Sequence, residues 1–240
     1  MRRTAAQLRS EVMLVLRNGE QLLLTLVIPV LLLAFFSTVD VLPSGGQEPA
    51  DFLVPGVVAL AVMSTAMVSL GIATGFERTY LVLKRLGATP LTRGELVAAK
   101  MLSVVVVELL QLAVLLPLGL AVGWQPDGAV LLAVPAVALG TAAFAGVGLT
   151  LAGRLRGEIN LAAQNGLYLV LLLLGGMMIP LSSLPGPLRG VAELLPSAAL
   201  ADVLRDALTG AGNQPGSSWV VLTVWALAAP LAAARLFRWH

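Results

Sequence analysis

Six stretches of this chain are each long and apolar enough to cross a lipid bilayer, and no other feature limits the possible fold so strongly. A bilayer core takes about 20 consecutive, mostly apolar residues per helix. Runs of this kind cover Leu22–Val39, Phe52–Gly75, Met101–Trp124, Ala129–Gly153, Leu161–Pro180 and Trp219–Phe237. The expected fold class is therefore all-α: a polytopic membrane protein with six transmembrane helices in one domain, residues 1–240. Composition agrees. Of 240 residues 58% are hydrophobic and only 12% charged, roughly half the charge of a soluble domain. That excludes a disordered chain and argues against an ordinary soluble enzyme. The absence of cysteine removes disulfides, thiolate metal sites and cysteine nucleophiles.

The basic residues orient the spans, because cytoplasmic loops carry an excess of Lys and Arg. The gaps that must share one side hold Arg2, Arg3, Arg9, Arg17, Arg78, Lys84, Arg85, Arg93, Lys100, Arg154 and Arg156, with Arg235 and Arg238 closing the sixth span. The other side has only Arg189 and Arg205, among Asp40, Glu48, Asp51, Asp127, Glu193, Asp202 and Asp206. Both termini are predicted cytoplasmic. Trp124 and Trp219 then fall at the outer interface and Trp239 at the inner one. The first span is too long for a signal-peptide core and lacks a small-residue cleavage site.

Residues 1–19 predict an interfacial helix: Ala5, Leu8, Val12 and Val15 recur at helical spacing, with Arg9, Ser10 and Arg17 elsewhere on the wheel. A lipid anchor and a docking element both fit that pattern. The cytoplasmic segment 76–100 is more specific. Phe76, Tyr80, Leu83 and Gly87 share one helical face, while Glu77, Arg78, Lys84 and Arg85 occupy others. An amphipathic helix to Leu86 is expected, ended by Gly87 and Pro90. Thr92-x-x-Glu95 reads as a capping box for the third span, with Leu91 and Leu96 as its hydrophobic staple. Two helical elements meeting at a defined corner can transmit force; the plainer reading is a basic loop that obeys the charge rule. On the outer side, 181–218 predicts short helices over Leu188–Leu195 and Ala198–Leu208, the second with Asp202, Arg205 and Asp206 on a polar side. Both are too short to span, so they are re-entrant or interfacial.

Within the spans, Glu108 lies about 10 Å deep at 1.5 Å per residue, and Gln111 shares its face. A mid-membrane carboxylate belongs in the bundle interior or against water. The pair are candidates for the pathway or a gate, or for polar glue between helices. Gly71-x-x-x-Gly75, and Gly140, Ala145, Gly146 and Gly148, permit close helix packing, within a subunit or between two. No catalytic, cofactor or metal set is apparent: there is no G-x-x-x-x-G-K-[ST] stretch, and the only histidine is His240. Such a chain resembles half of a translocation path, driven by energy from elsewhere.

The segment Phe76–Lys100 resembles the signature of ABC-2 type transporter permeases. The matching residues are Glu77-Arg78, Leu83-Lys84-Arg85-Leu86, Thr89-Pro90-Leu91, Arg93, Glu95 and Lys100. Leu81 stands where many relatives have glycine. The interfacial N-terminal helix, six spans and long outer segment are similar too. The resemblance implies a non-catalytic permease subunit of an ABC exporter for hydrophobic or amphipathic, drug-, antibiotic- or lipid-like cargo. ATP and Mg would be bound by two copies of a separate ATPase subunit. A second permease subunit, identical or different, would complete the complex, with membrane lipid but no nucleic acid as a further partner. The location implied is a bacterial-type inner membrane. The resemblance makes Glu77, Arg78, Tyr80, Leu83, Lys84, Arg85, Thr89 and Pro90 the ATPase-coupling residues. The alternatives are an ion-coupled carrier or channel using Glu108 without an ATPase, against which no inverted repeat is evident, and a membrane anchor without transport. Because the chain has no cysteine, its topology is directly testable. Single cysteines at Gly46 and Gly94 should react with an impermeant thiol reagent from opposite sides of the membrane; labelling from the same side would refute the orientation.

Overall fold

Long apolar runs of Leu, Ala and Val form helices here, and the breaks fall where glycine or a tied side chain stops them. The computed structural model describes residues 2–17, 19–39, 48–86, 88–89, 92–127, 129–212 and 215–237. The expected features at Asp40, Gly46, Gly87, Pro90, Leu91, Arg238, Trp239 and His240 lie outside the described residues. The helices are α1 (Arg2–Arg17), α2 (Gly19–Thr38), α3 (Pro49–Thr79), α4 (Val82–Leu86), α5 (Arg93–Ala121), α6 (Ala133–Arg154), α7 (Gly157–Leu174), α8 (Gly186–Ala192), α9 (Pro196–Thr209) and α10 (Pro215–Leu236). No strand occurs among the described residues, so the chain is all-α. Pro49–Thr79, Gly94–Ala121, Val130–Arg154, Gly157–Leu174 and Gly216–Leu236 are long and apolar enough to cross a membrane; the apolar stretch of α2, Thr25–Thr38, is shorter.

α3 is the hub. It is buried along most of its length, whereas α5, α6, α7 and α10 each bury well under half of theirs. α2, α5, α6, α7 and α9 all pack on it. Its middle widens into a π-helical segment, Ser64–Ser69, a form that is rare and concentrated at special sites. The outer helices leave apolar side chains such as Leu109, Leu173 and Leu227 exposed, a surface suited to lipid or to another subunit.

Glycine lets α6 sit deep among its neighbours. A Cβ at Gly140 would strike Leu200 of α9, one at Gly146 the Ala229–Pro230 backbone of α10, and one at Gly148 the Met67 backbone of α3. The small residues of this span therefore serve packing within the subunit.

Several boundaries move from the expected ones. The capping box forms: Thr92 Oγ1 accepts from the Glu95 N–H at 3.3 Å, and the Glu95 carboxylate accepts from the Thr92 N–H at 2.8 Å. It starts α5 at Arg93, eight residues before the apolar run, and such a cap contributes about 1 kcal/mol. α5 ends at Ala121, where Gly123 takes φ +99° and the Trp124 N–H bonds the Gly119 carbonyl at 3.0 Å, as in a Schellman ending. That turn folds Trp124 inward and buries it, rather than leaving it in an aromatic belt. The fifth expected span stops short, at Leu174, because Gly175 and Gly176 turn the chain, Gly176 at φ +62°. The two short outer helices are present as α8 and α9. α9 is buried along almost its whole length, including Asp202 and Arg205 of its expected polar side. It is covered by α3, α6, α7 and α10 rather than lying on a surface.

The expected continuous helix Glu77–Leu86 is instead two pieces. α3 ends at Thr79, Tyr80 and Leu81 turn, and α4 begins at Val82. Leu81 makes the corner at φ +60°. A left-handed backbone costs a non-glycine residue roughly 1–2 kcal/mol, and the exposed Leu81 side chain recovers little of it by packing. Leu81→Gly should therefore raise stability by about 0.5–1 kcal/mol, after allowing for glycine's greater unfolded-state freedom. Thermal unfolding in detergent reads this directly, and a lower midpoint would contradict it.

Candidate coupling site at the charged pole

A buried ion is stable only with a partner close by, and a lone buried charge costs several kcal/mol. Lys100, 4% exposed in the second turn of α5, meets this demand twice. Its Nζ lies 2.7 Å from the Glu77 carboxylate and 3.3 Å from that of Glu11. Three separate elements are tied together: α1 by Glu11, the end of α3 by Glu77, and the start of α5 by Lys100. Gln7, one turn before Glu11, donates to the same carboxylate at 2.8 Å. The cluster has two carboxylates for one ammonium.

The next two residues of α3 hold the opposite flank. Arg78 donates to the Ala152 carbonyl at 2.7 Å, in the last turn of α6. A cation there satisfies an orphan carbonyl and opposes the helix dipole. Thr79 Oγ1 accepts from the Gly157 N–H at 3.1 Å, at the first residue of α7, and donates to the Gly75 carbonyl at 2.9 Å. Arg154 closes the same pole by donating to the Leu236 carbonyl of α10 at 3.1 Å. Glu77-Arg78-Thr79 thus links α3 to four other helices.

Of the expected coupling residues, Glu77, Arg78 and Leu83 turn toward the bundle, and Tyr80, Lys84, Arg85 and Thr89 are exposed. Pro90 is outside the described residues. Tyr80 stacks on Phe76 with ring centroids 6.0 Å apart. Thr89 closes the turn after α4 by donating its hydroxyl to the Leu86 carbonyl at 2.6 Å. α4 therefore presents a basic outer surface, with Tyr80 in the turn before it, and is anchored by the buried Leu83.

The mid-span candidates are set inside the subunit. Gln111 accepts from Thr65 Oγ1 at 3.0 Å and donates to the Thr25 carbonyl at 2.8 Å, joining α5 to α2 and to the π segment of α3. Glu108 is 3% exposed. Thr141 Oγ1 of α6 lies 2.9 and 2.8 Å from its two oxygens and 2.8 Å from the Val137 carbonyl. One hydroxyl carries one proton. That proton can go to Glu108 or to Val137, and the hydroxyl sets Glu108 of α5 against α6.

Gly71 and Gly75 are filled by two amides of α7. A Cβ at either would collide with Gln164 or Asn160, respectively. Asn160 donates to the Gly71 carbonyl at 2.9 Å, and Gln164 to the Gly148 carbonyl at 2.9 Å. The motif packs α3 against α7 of the same chain.

At the far pole Arg205, 4% exposed, lies 4.3 Å over the Phe52 ring and donates to the Gly176 carbonyl at 3.0 Å. Burial lowers its pKa to about 10, with Asp202 opposing the shift. Asp202 accepts from Ser218 at 2.8 Å. Among the described residues no group of three or more His, Asp or Glu is arranged to hold a metal ion.

Sequence reasoning singled out Glu77 and Lys100 but not their third partner. Glu11 stood out only as an acid beside the apolar positions Leu8, Val12 and Val15. Thr79, Thr141 and the Asn160/Gln164 pair were also missed; the amides' spacing of four residues, matching that of Gly71 and Gly75, was the available signal.

An all-helical bundle with several membrane-length apolar helices, many of its buried polar groups joining one helix to another, is a multi-pass membrane protein. The family model for ABC-2 type transporters matches residues 3–209, and the chain belongs to that family. It is 28% identical over 202 residues, 78% of each chain, to a protein of Bacillus subtilis (strain 168) described as "Putative transport permease YvfS". The chain is thus the membrane subunit of a transporter, of a family that typically works with an ATP-binding subunit.

Lys100→Met leaves two carboxylates buried without their cation and should destabilise the fold by about 3–5 kcal/mol. Glu77→Gln, which keeps a polar group at Lys100 and removes the excess negative charge, should cost less. Unfolding curves for the two variants test the ranking; a Lys100→Met protein as stable as the parent would dismiss the cluster as an anchor.

Proposed function

We propose that this chain is the membrane-spanning subunit of an ABC exporter, moving a hydrophobic or amphipathic, drug-, antibiotic- or lipid-like substrate outward. ATP and Mg are bound by a separate ATPase subunit, present in two copies. A second permease subunit, identical or different, completes the pathway. The charged pole faces the cytoplasm of a bacterial-type inner membrane, with both termini on that side, an orientation that the distribution of basic residues supports.

The observation that carries the reading is the construction of the α3–α4–α5 corner. Lys84 and Arg85 are exposed on a short helix that follows α3 through a tight turn, and Tyr80 is exposed in that turn. The end of α3 is bonded to α1 and α5 through Lys100 and to α6 and α7 through Arg78 and Thr79. Force applied to α4 by a moving ATPase would therefore be shared by five helices, where a flexible loop would dissipate it. The basic face of α4 suits an acidic groove on the partner. Glu108 and Gln111 support the same reading. Each is occupied by a bond to a neighbouring helix, which leaves an ion-coupled carrier without a ready site.

Charge reversal on the outer face leaves the buried anchors intact. Lys84→Glu with Arg85→Glu should reduce co-purification of the ATPase subunit, or separate ATP hydrolysis from transport, by tenfold or more, about 1.4 kcal/mol of docking energy. Unfolding of the permease alone should stay unchanged. A complex that assembles and transports normally with both charges reversed would overturn the docking role.

A further inference from the structure

The single acid of α1 is Glu11. It is buried, and Lys100 and Gln7 both engage its carboxylate. The other side of the helix is open: Ala6, Arg9, Ser10, Met13, Leu14 and Arg17 are all exposed. At 3.6 residues per turn they fill one continuous arc that faces away from Glu11. Met13 lies between the two arginines on this arc, and Leu14 closes its far edge; they are 42% and 62% exposed. The arc therefore carries two cations, two large apolar side chains and no acid.

The bonds of Glu11 fix the height of this arc. Lys100 stands immediately before the apolar run Met101–Trp124. Glu77, on the same ammonium, stands just beyond the run Phe52–Gly75. α1 itself ends just before the first run opens at Leu22. All three landmarks mark the level where apolar spans give way to polar chain, which is the headgroup layer of a bilayer. Held there by Glu11, the arc cannot turn into the bundle. Exposed Met13 and Leu14 suit the upper acyl region, and arginine stems can run along apolar surface while their guanidinium groups reach the phosphates. With no acid among them, the two arginines favour anionic over zwitterionic headgroups.

We propose that the outward arc of α1 binds anionic phospholipid, with Arg9 and Arg17 on the headgroup phosphates and Met13 and Leu14 at the acyl boundary. Because Glu11 joins α1 to α3 and α5 through Lys100, membrane charge acts on the same pole that carries α4. Lipid binding by this arc needs no ATPase and stands apart from the exporter reading.

The test uses the full chain in nanodiscs of phosphatidylcholine with a minority of phosphatidylglycerol. The chain has no cysteine, so Ser10→Cys carries a single NBD fluorophore on the arc. Either the glycerol lipid or the choline lipid is then doxyl-labelled as a quencher. Expected, per labelled lipid, is quenching by phosphatidylglycerol about threefold stronger than by phosphatidylcholine, weakened by high salt. Arg9→Gln with Arg17→Gln should bring the two lipids to equality, and Arg9→Lys with Arg17→Lys should keep the preference. Both pairs leave Glu11 and Lys100 in place, so their unfolding curves should match the parent's. Equal quenching by the two lipids in the parent, or a preference that survives the glutamine pair, would overturn the proposal. A fluorophore quenched by neither lipid, and shielded from iodide only when the ATPase subunit is added, would give the arc to a protein partner instead.

Discussion

The charged pole depends on one ammonium group. Lys100 lies where α1, α3 and α5 converge, and water is largely excluded there. Burying ions is unfavourable unless their geometry is good, so this cluster ties the three helices to one relative placement. Two residues along α3, the same logic appears in neutral form: Thr79 supplies the hydroxyl that the first N–H of α7 lacks. Arg78 and Arg154 add a further coincidence of charge and backbone. Both belong to the basic set that orients the chain, and both bond carbonyls near helix C-termini, on α6 and α10. Cations placed by membrane topology thus also complete helix ends that finish on that side.

Away from the pole, amides and glycines take over. Apolar side chains gain little from choosing another helix over lipid, so close backbone approach and interhelical hydrogen bonds decide the packing. Gly71 and Gly75 accommodate Gln164 and Asn160, and Gly148 admits the Met67 backbone while its own carbonyl accepts from Gln164. Gln111 joins α5 to α2 and α3. These contacts run around α3, which explains why that helix is enclosed while α5 and α6, just as apolar, are not.

Where a local pattern had a local cause, it was readable. Thr92 and Glu95 cap α5 because the bond spans three residues. The membrane-length helices follow from apolar runs that need only length. The expected helix Glu77–Leu86 failed for a non-local reason: Arg78 and Thr79 are held by α6 and α7, and the chain turns at Leu81 despite its side chain. Arg205 and Asp202 looked like the wet side of an amphipathic helix. They are buried because Phe52, the Gly176 carbonyl and Ser218 lie opposite them, and those partners are distant in sequence.

By itself, then, the sequence determined an all-helical membrane protein, the sorting of its charges between two ends and the position of the corner segment between the second and third apolar runs. Each depends on composition over a window or on neighbours within a turn. The tertiary structure alone decided that α3 is the hub, that Glu11 joins Lys100 and Glu77, and that the small residues serve packing inside the subunit. It also decided that Leu83 is buried while Lys84 and Arg85 point outward. The reason is physical: lipid and protein interior are almost equally apolar, so hydropathy cannot say which side of a span faces which. Only the matching of polar groups and small residues between helices settles that choice.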